Sequence, residues 1–316
     1  MKAAIETDSI QPVRVAICGT FQRGKSLLVN CLLGRRVAMV GRGKRTTPIE
    51  THYCWGADER VEVFNHEGRQ VPSDMDRHAA LPLAELLAHY TNLSEQADGD
   101  PADRPAKLRV LLREDNLRRV VLVDTPGLDC DAADSKRAED AAKGVDFILF
   151  LAANRELSSV ERKFLNQCDR LQKACVMLLN CFPTGDRWDP NAALNRDEAN
   201  NWIAGGQDFG FRIRPEPLLV NVQWWAMARG VIDDSEQERR KAWKLAEAFL
   251  GTSLKDDHDL LIRSRGHEVE CLFRVPPERI VGVNAYCLGR LHRAATEWTT
   301  KVQTQIEATK AALNKK

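Results

Sequence analysis

The sequence has no apolar run of membrane-spanning length. Its most apolar stretch, Phe147 to Ala153, falls far short of the ~20 residues that a helix needs to cross a bilayer. Neither sign of charge is in excess: 46 Lys and Arg stand against 45 Asp and Glu, a net charge of +1. Such a balance leaves no electrostatic footprint for a nucleic-acid binder, and that class is set aside. The nine cysteines show no C-x-x-C spacing, and the seven histidines show no H-x-x-H or H-E-x-x-H pairing. A structural metal is therefore not expected. An odd number of cysteines, several of them inside apolar runs (Cys18, Cys31, Cys175), reads as reduced thiols acting as small buried hydrophobes. Residues 1–12 carry Glu6 and Asp8 and no apolar segment of signal-peptide type, so the expected location is cytoplasmic.

What is present is enough for a folded protein. The chain has 316 residues, 43% hydrophobic and 29% charged, which suits one large α/β domain or two small ones. Short apolar runs alternate with longer periodic segments. Val13–Cys18, Val120–Val123, Phe147–Leu151, Cys175–Leu179 and Leu218–Val220 read as strands buried on both faces of a mainly parallel sheet flanked by helices. Tyr53–Trp55 and Val61–Phe64 read as a hairpin about Gly56-Ala57-Asp58. Lys25 to Leu33 reads as a helix closed by Gly34. A second helix opens near Ser158, where Ser158 and Glu161 have capping-box spacing, and it places Val160, Phe164, Leu165, Cys168 and Leu171 on one face. Residues 94–106 read as a surface loop and 183–217 as an irregular insertion. Near the end, Leu288, Leu291, Ala295, Trp298, Val302, Ile306, Thr309 and Leu313 recur every three or four residues, with Thr309 the one polar member. That stripe predicts a long amphipathic helix, packed on its own domain or completing a bundle with another helix. The expected organisation is an N-terminal segment (1–12), an α/β domain (13–275) and this C-terminal helix (276–316).

The strongest local signal is Gly19-Thr20-Phe21-Gln22-Arg23-Gly24-Lys25-Ser26, a G-x-x-x-x-G-K-[ST] sequence between a predicted strand and a predicted helix. Two glycines let the backbone wrap a phosphate with its N–H groups inward, and the helix presents its positive end to the same anion. Lys25 is placed to reach the β and γ phosphates, and the Ser26 hydroxyl to ligate Mg²⁺. Asp124-Thr125-Pro126-Gly127 comes directly after the strand ending at Val123. There Asp124 can hold Mg²⁺ through water, and the Gly127 N–H can meet a γ-phosphate. Between the two motifs, Gly41-Arg42-Gly43-Lys44-Arg45-Thr46-Thr47-Pro48 is a loop that can fold a threonine over the metal. Thr47 is preferred because Pro48 stiffens the backbone after it. Thr46 and a plainly solvated basic loop remain alternatives.

At these residues the chain resembles the GTPase domain of the dynamin superfamily, bacterial dynamin-like proteins in particular. Val15 to Gly19, Arg23 to Ser26 and Leu28 to Gly34 are similar to that family's first strand, phosphate loop and first helix. Thr46-Thr47-Pro48-Ile49 resembles its switch segment, and Leu81 to Leu87 the helix before its third motif. Val123 to Leu128 resembles the third motif itself, and Leu157 to Glu161 the helix after it. The resemblance spans roughly residues 13–225. It implies a P-loop NTPase fold of Ras-like and dynamin-like kind, GTP as ligand, Mg²⁺, nucleotide-dependent pairing of GTPase domains, and often membrane remodelling.

The sequence departs from that pattern in four places. The base-recognition element [NT]-K-x-D reads Asn180-Cys181-Phe182-Pro183. Proline cannot accept the two bonds that a carboxylate takes from guanine, a loss of about 2–3 kcal/mol or roughly a hundredfold in discrimination over adenine. Asp186 or Asp189 could substitute, with Phe182 or Trp188 stacking on the base. The later base-proximal segment reads Val220-Asn221-Val222-Gln223-Trp224-Trp225, with Asn221 near the base and the tryptophans read as core. The position after D-x-x-G, a water-orienting Gln in small GTPases, is Leu128. Arg23 is then the candidate for a transition-state charge, against the plainer reading of an exposed arginine. Last, one C-terminal helix stands where membrane-active relatives carry a long helical stalk, and no polybasic run is present.

Lys25, Thr47 and Arg23 are the catalytic candidates. Gly19, Gln22, Arg23, Gly24, Lys25, Ser26, Leu27, Gly127, Asn180 and Asn221 form the nucleotide set, and Ser26, Thr47 and Asp124 the metal set. The expected partners are GTP, with ATP as an alternative, a second copy meeting the nucleotide face, and a helical protein for the C-terminal stripe; membrane contact would be peripheral only. Three functions compete: a Mg²⁺-dependent GTPase, a nucleotide-gated interaction module with little turnover, and an ATPase of the wider P-loop class.

Overall fold

The computed structural model describes residues 12–40, 49–71, 83–95, 105–128, 132–153, 157–171, 173–180, 218–232, 239–240, 243–244, 246–247 and 253–270. The chain divides into two units, Met1–Glu270 and Cys271–Lys316, and every described residue belongs to the first. The expected C-terminal stripe, the insertion 183–217 and the threonine pair Thr46–Thr47 lie outside the described residues.

In chain order the elements are β1 (Val13–Cys18), α1 (Lys25–Leu33), β2 (Glu50–Trp55), β3 (Arg60–Phe64), β4 (Gln70–Val71), α2 (Leu83–Glu95), β5 (Lys107–Leu112), a 3₁₀ turn (Asp115–Arg118), β6 (Val120–Asp124), α3 (Ala132–Lys143), β7 (Phe147–Ala153), α4 (Ser159–Arg170), β8 (Ala174–Asn180), β9 (Leu218–Val220), α5 (Val222–Ala228), α6 (Asp257–Ser264) and α7 (Gly266–Glu270). They build one nine-stranded sheet in the order β4-β3-β5-β2-β6-β1-β7-β8-β9. From β6 through β9 every neighbour is parallel. On the other flank β2 runs antiparallel to β6 and parallel to β5, and β3 runs antiparallel to β5 and β4. The sheet is thus an α/β sheet, parallel in its central and β9 half and mixed beyond β6.

Burial explains the central strands. All seven residues of β7 are buried, as a strand covered on both faces must be. On one face Ala16, Val123, Ile148 and Phe150 pack with Leu128, Ala138, Ala142, Phe164, Leu165 and Cys168 from the adjoining turn, α3 and α4. The Phe150 and Phe164 rings stack with centroids 5.7 Å apart. Phe164, Leu165 and Cys168 occupy the core as their spacing predicts. Leu171 does not: α4 ends at Arg170, so Leu171 leaves the apolar stripe and is 37% exposed. The capping box at the start of α4 forms, with Ser158 N–H donating to Glu161 Oε2 at 2.7 Å and Glu161 N–H to Ser158 Oγ at 3.3 Å.

The expected hairpin is corrected. β2 and β3 do run in opposite directions, but they do not pair, because β5 lies between them. The cause sits at the turn. Gly56 donates its N–H to Leu112 O at 2.9 Å, and a Cβ on Gly56 would come within 2.7 Å of Leu111 Cβ. The backbone is therefore pressed onto β5, and β3 can only return along the far edge of that strand. β4 and β5 themselves are not expected from the sequence. The loop expected from residue 94 also begins later, since α2 runs through Glu95.

At the β9 end, Trp224 and Trp225 of α5 are core residues, as expected. Trp224 packs with Met227, Ala246, Leu254 and Leu260. Trp225 lies against Gly266, where a Cβ would sit 2.4 Å from the indole ring, so only glycine allows this approach. Glu270 accepts from Trp225 Nε1 at 3.1 Å and from the Arg229 guanidinium. Among the described residues no helix is long and apolar enough to cross a membrane. Cys18, Cys31, Cys54, Cys168 and Cys175 are free thiols.

Candidate functional site

The site is built where β1, β6 and β8 end. β1 runs into the loop Gly19–Gly24, whose backbone is possible only with unusual dihedrals. Gly19 has φ +152° and Gly24 φ +91°, and a Cβ on Gly19 would lie 2.2 Å from Leu151 O. Gln22 also takes a positive φ of 59°. The loop closes into α1, which has no side-chain cap and no acidic residue in its first turn. An uncapped helix start without negative charge is suited to an anion.

Within that loop Lys25 is buried, 7% exposed. Its Nζ donates to Gly19 O at 3.1 Å and Thr20 O at 2.9 Å, so the ammonium is held over the loop. The Ser26 hydroxyl donates to Asp124 Oδ2 at 2.8 Å, joining the first turn of α1 to the end of β6 across 98 positions. Asp124 is 1% exposed. Thr125 Oγ1 donates to Ile17 O at 2.8 Å and Leu128 N–H to Gly19 O at 3.3 Å, which fastens the D-x-x-G turn to the phosphate loop. Gly127 is buried in this turn. Leu128 is turned into the core beside Phe150 and Phe164. The position that would orient a water in a small GTPase is here a packing position.

Asn180, at the end of β8, is a brace. Its Nδ2 donates to Arg23 O at 2.8 Å and its Oδ1 accepts from Val222 N–H at 3.1 Å, so one side chain ties the phosphate loop to α5. Asn221 caps α5, its Oδ1 accepting from Trp224 N–H at 3.0 Å, and its own N–H goes to Ser264 O at 2.9 Å. Both residues therefore sit at the loop ends that sequence reasoning assigns to the base, and both hold backbone. Arg23 Nε donates to Thr20 Oγ1 at 2.9 Å. Leu27 is half-buried and Gln22 exposed on the same loop and helix start. Burial, countered in part by Thr125 and Lys25, pushes the Cys18 thiol just before the loop up to about 12, so it stays protonated.

The donor set fits magnesium. Ser26 and Asp124 bring a hydroxyl and a carboxylate oxygen together at the mouth of the loop, hard donors of the kind that cation takes. Among the described residues no group of three or more His, Cys, Asp or Glu could hold a metal ion. Magnesium needs no such cage, because substrate phosphates and water complete its shell. Thr47, the third expected ligand, lies outside the described residues, as do Cys181 to Pro183, Asp186, Trp188 and Asp189.

Sequence reasoning misses one part of this site. Spacing makes Glu161 half of a capping box, yet its Oε1 also accepts from Thr20 Oγ1 at 3.1 Å, across 141 positions. Nothing in the local sequence signals that contact.

Fold and site together define a P-loop nucleotide-binding α/β domain of the GTPase type. The chain belongs to the dynamin family, whose family model matches residues 15–181. Among characterised proteins it is similar to the isoniazid-induced protein IniC of Mycobacterium tuberculosis, in strains CDC 1551 / Oshkosh and ATCC 25618 / H37Rv. To each it is 28% identical over 186 residues, 57% of this chain and 35% of that protein. The chain thus spans about a third of the length of the curated relatives it matches. Among solved structures it is similar to an oligomerised bacterial dynamin pair described in connection with long-range sensing and tethering of membranes, at 18% identity and a TM-score of 0.45 over 83% of this chain and 37% of that one. It is also similar to Era in complex with MgGDPNP and a segment of 16S ribosomal RNA, at 16% identity and a TM-score of 0.36 over 72% of this chain and 58% of that one.

Proposed function

We propose that this dynamin-family domain binds GTP with magnesium and hydrolyses it to GDP and inorganic phosphate. The observation that carries the reading is the meeting of Ser26 Oγ and Asp124 Oδ2 at 2.8 Å beside a buried Lys25. Two separate motifs supply these groups, and a bare structural role would not need a lysine wrapped in an uncapped helix start.

In the proposed reaction the loop amides and Lys25 bind the β and γ phosphates. Magnesium, when bound, neutralises charge on those oxygens. A water oxygen bonds to the γ-phosphorus as the bond from that phosphorus to the bridging oxygen breaks. The bridging oxygen departs on GDP, and the water proton goes to the released phosphate or to solvent. Lys25 and Arg23 supply positive charge toward the oxygens where negative charge builds. Thr47 is proposed to complete the metal shell. Leu128 leaves water placement to backbone groups or to a partner's residue. Gly19, Gln22, Gly24, Leu27 and Gly127 would contact the nucleotide through main chain, with Asn180 and Asn221 shaping the base side.

Guanine as the base rests on family membership. The replacement of the specificity carboxylate by Pro183 makes ATP the comparison that matters. A second reading, a nucleotide-gated interaction module with slow turnover, is favoured by the burial of Leu128. The proposed organisation is an N-terminal segment (1–12), the GTPase domain (13–275) and a C-terminal helix (276–316). In that organisation a second copy meets the nucleotide face, a helical partner takes the C-terminal stripe, the location is cytoplasmic and any membrane contact is peripheral.

The test is phosphate release in magnesium buffer with GTP and with ATP. The expected result is GTP turnover that is lost in Lys25→Ala and on chelation of magnesium. Tight binding without turnover would support the gated module, and equal turnover of ATP would overturn guanine preference. No affinity for either nucleotide would overturn the proposal.

A further inference from the structure

We infer that Glu161 and Thr20 form a buried relay that positions Arg23 over the phosphate loop, making both of them positioning residues for the proposed hydrolysis, on which this inference rests. The direction of the relay is fixed by chemistry. Arg23 Nε can only donate, so at 2.9 Å Thr20 Oγ1 is the acceptor. The hydroxyl's one hydrogen is then committed to its other neighbour, Glu161 Oε1 at 3.1 Å. An ionised carboxylate can only accept, which closes the chain in the sense Arg23 to Thr20 to Glu161. Thr20 and Glu161 are each 1% exposed.

The charge on Glu161 needs a reason. A capping box accepts Gln as well as Glu, and burying a carboxylate costs more than burying an amide. The box engages Glu161 Oε2, through Ser158 N–H. The second oxygen receives Thr20, and that is the contact a Gln at this position would turn around: its NH₂ would donate to Thr20 and leave the hydroxyl hydrogen without its acceptor. The carboxylate therefore suits the relay rather than the cap.

The consequence falls on Arg23. A guanidinium is a planar fork, so holding Nε sets the direction of the two terminal nitrogens. The Arg23 carbonyl is held separately by Asn180 Nδ2. Backbone and side chain of Arg23 are thus both anchored, from α4 on one side and β8 on the other. An arginine so fixed is prepared to meet charge that develops on a γ-phosphate without first losing rotamer freedom. The same contact makes the N-terminus of α4 part of the phosphate-loop support.

The test is steady-state hydrolysis of GTP by the full chain carrying Thr20→Val, Glu161→Gln, Arg23→Ala, the pair Thr20→Val with Arg23→Ala, and Ser158→Ala. The expected result is a kcat lower by about ten- to a hundredfold in Thr20→Val and Glu161→Gln, the order that small misplacements cost, with KM changed by less than about threefold. Thr20→Ser, which restores the hydroxyl, rescues turnover. The double variant is expected to be no slower than Arg23→Ala alone, because the relay acts through Arg23. Ser158→Ala, which keeps the backbone N–H to Glu161 and loses only the hydroxyl cap, is expected to lower thermal stability and to lower kcat by less than Glu161→Gln does. Unchanged kcat in Thr20→Val, or a double variant slowed by the product of the single effects, would overturn the relay. Should Thr20→Val fail to fold, Glu161→Gln alone and with Arg23→Ala decides by the same criteria. Absence of any Lys25-dependent turnover in the unaltered chain would overturn the proposed function and this inference with it. Turnover that needs Lys25 but ignores Thr20 overturns the relay only.

Discussion

At the scale of single residues, the most exacting position outside the phosphate loop is His52. It is buried in β2 and touches Glu50, with Lys107 and Arg14 nearby. Burial, reinforced by the charges of Lys107 and Arg14, holds its imidazole below the ordinary 6.5 against the pull of Glu50. For Glu50, burial works upward, but His52, Lys107 and Arg14 outweigh it and keep the carboxyl below the ordinary 4.5. The signs agree. As pH falls through 6.5 the unfolded chain takes up a proton on His52 that the folded chain resists, and below 4.5 the same holds for Glu50. Stability contributed by this pair is complete above pH 6.5 and declines on acidification. Urea denaturation is expected to show lower stability at about pH 5.5 than at about pH 7.5, on either side of the histidine's ordinary range, with a smaller difference in His52→Gln. Cys18, Cys31 and Cys168 contribute nothing to that slope, since burial raises each well away from neutral pH.

At the scale of elements, the phosphate loop depends on its neighbours as much as on its own sequence. Asn180 spans from β8 to the loop and to α5, and its removal strands the buried Val222 N–H and the half-buried Arg23 carbonyl. Such a loss costs about 1–3 kcal/mol per stranded group. Asn180→Ala is therefore expected to lower the thermal midpoint and to raise the KM for GTP, read by melting and steady-state kinetics on the same preparation. How much of this is legible in the sequence depends on range. The loop, α1, the D-x-x-G turn and the capping box of α4 are local patterns, and each lies where its pattern puts it. β5 escapes such reading because its alternation lasts only from Lys107 to Val110 before Leu111 and Leu112 break it, directly after a polar stretch that reads as loop. The expected hairpin fails for the same cause: adjacency in sequence suggests pairing, and only the insertion of β5 removes it. Leu171 shows how one residue past a helix end escapes a stripe that counts correctly up to that point.

At the scale of the whole molecule, the sheet order carries the function. Parallel strands β6, β1, β7, β8 and β9 deliver Asp124, Gly19, Asn180 and Asn221 to one end, which is where an α/β sheet presents its ligands. The identity of these residues is readable from the sequence; their use is not. Motif position assigns Asn180 and Asn221 to a base, and in the fold each also secures backbone. Spacing assigns Glu161 to a helix start, and it reaches the loop as well. The contacts of Asn180 and of Glu161 with the loop cross long stretches of chain, where local pattern is silent, whereas Asn221 caps the helix that follows it. For the assembled protein, light scattering with a non-hydrolysable GTP analogue is expected to show a doubling of mass that is absent with GDP, and an unchanged mass in both states would remove the proposed pairing through the nucleotide face.

The antiparallel seating of β2 has one more effect. Thr51, His52 and Tyr53 are laced to β6 on one side and to β5 on the other, with Thr51 opposite Asp124. A strand laced on both edges cannot slide or peel without rupturing two ladders at once. β2 is thereby the clamp between the two flanks of the sheet, the point at which its parallel half is fastened to its mixed half.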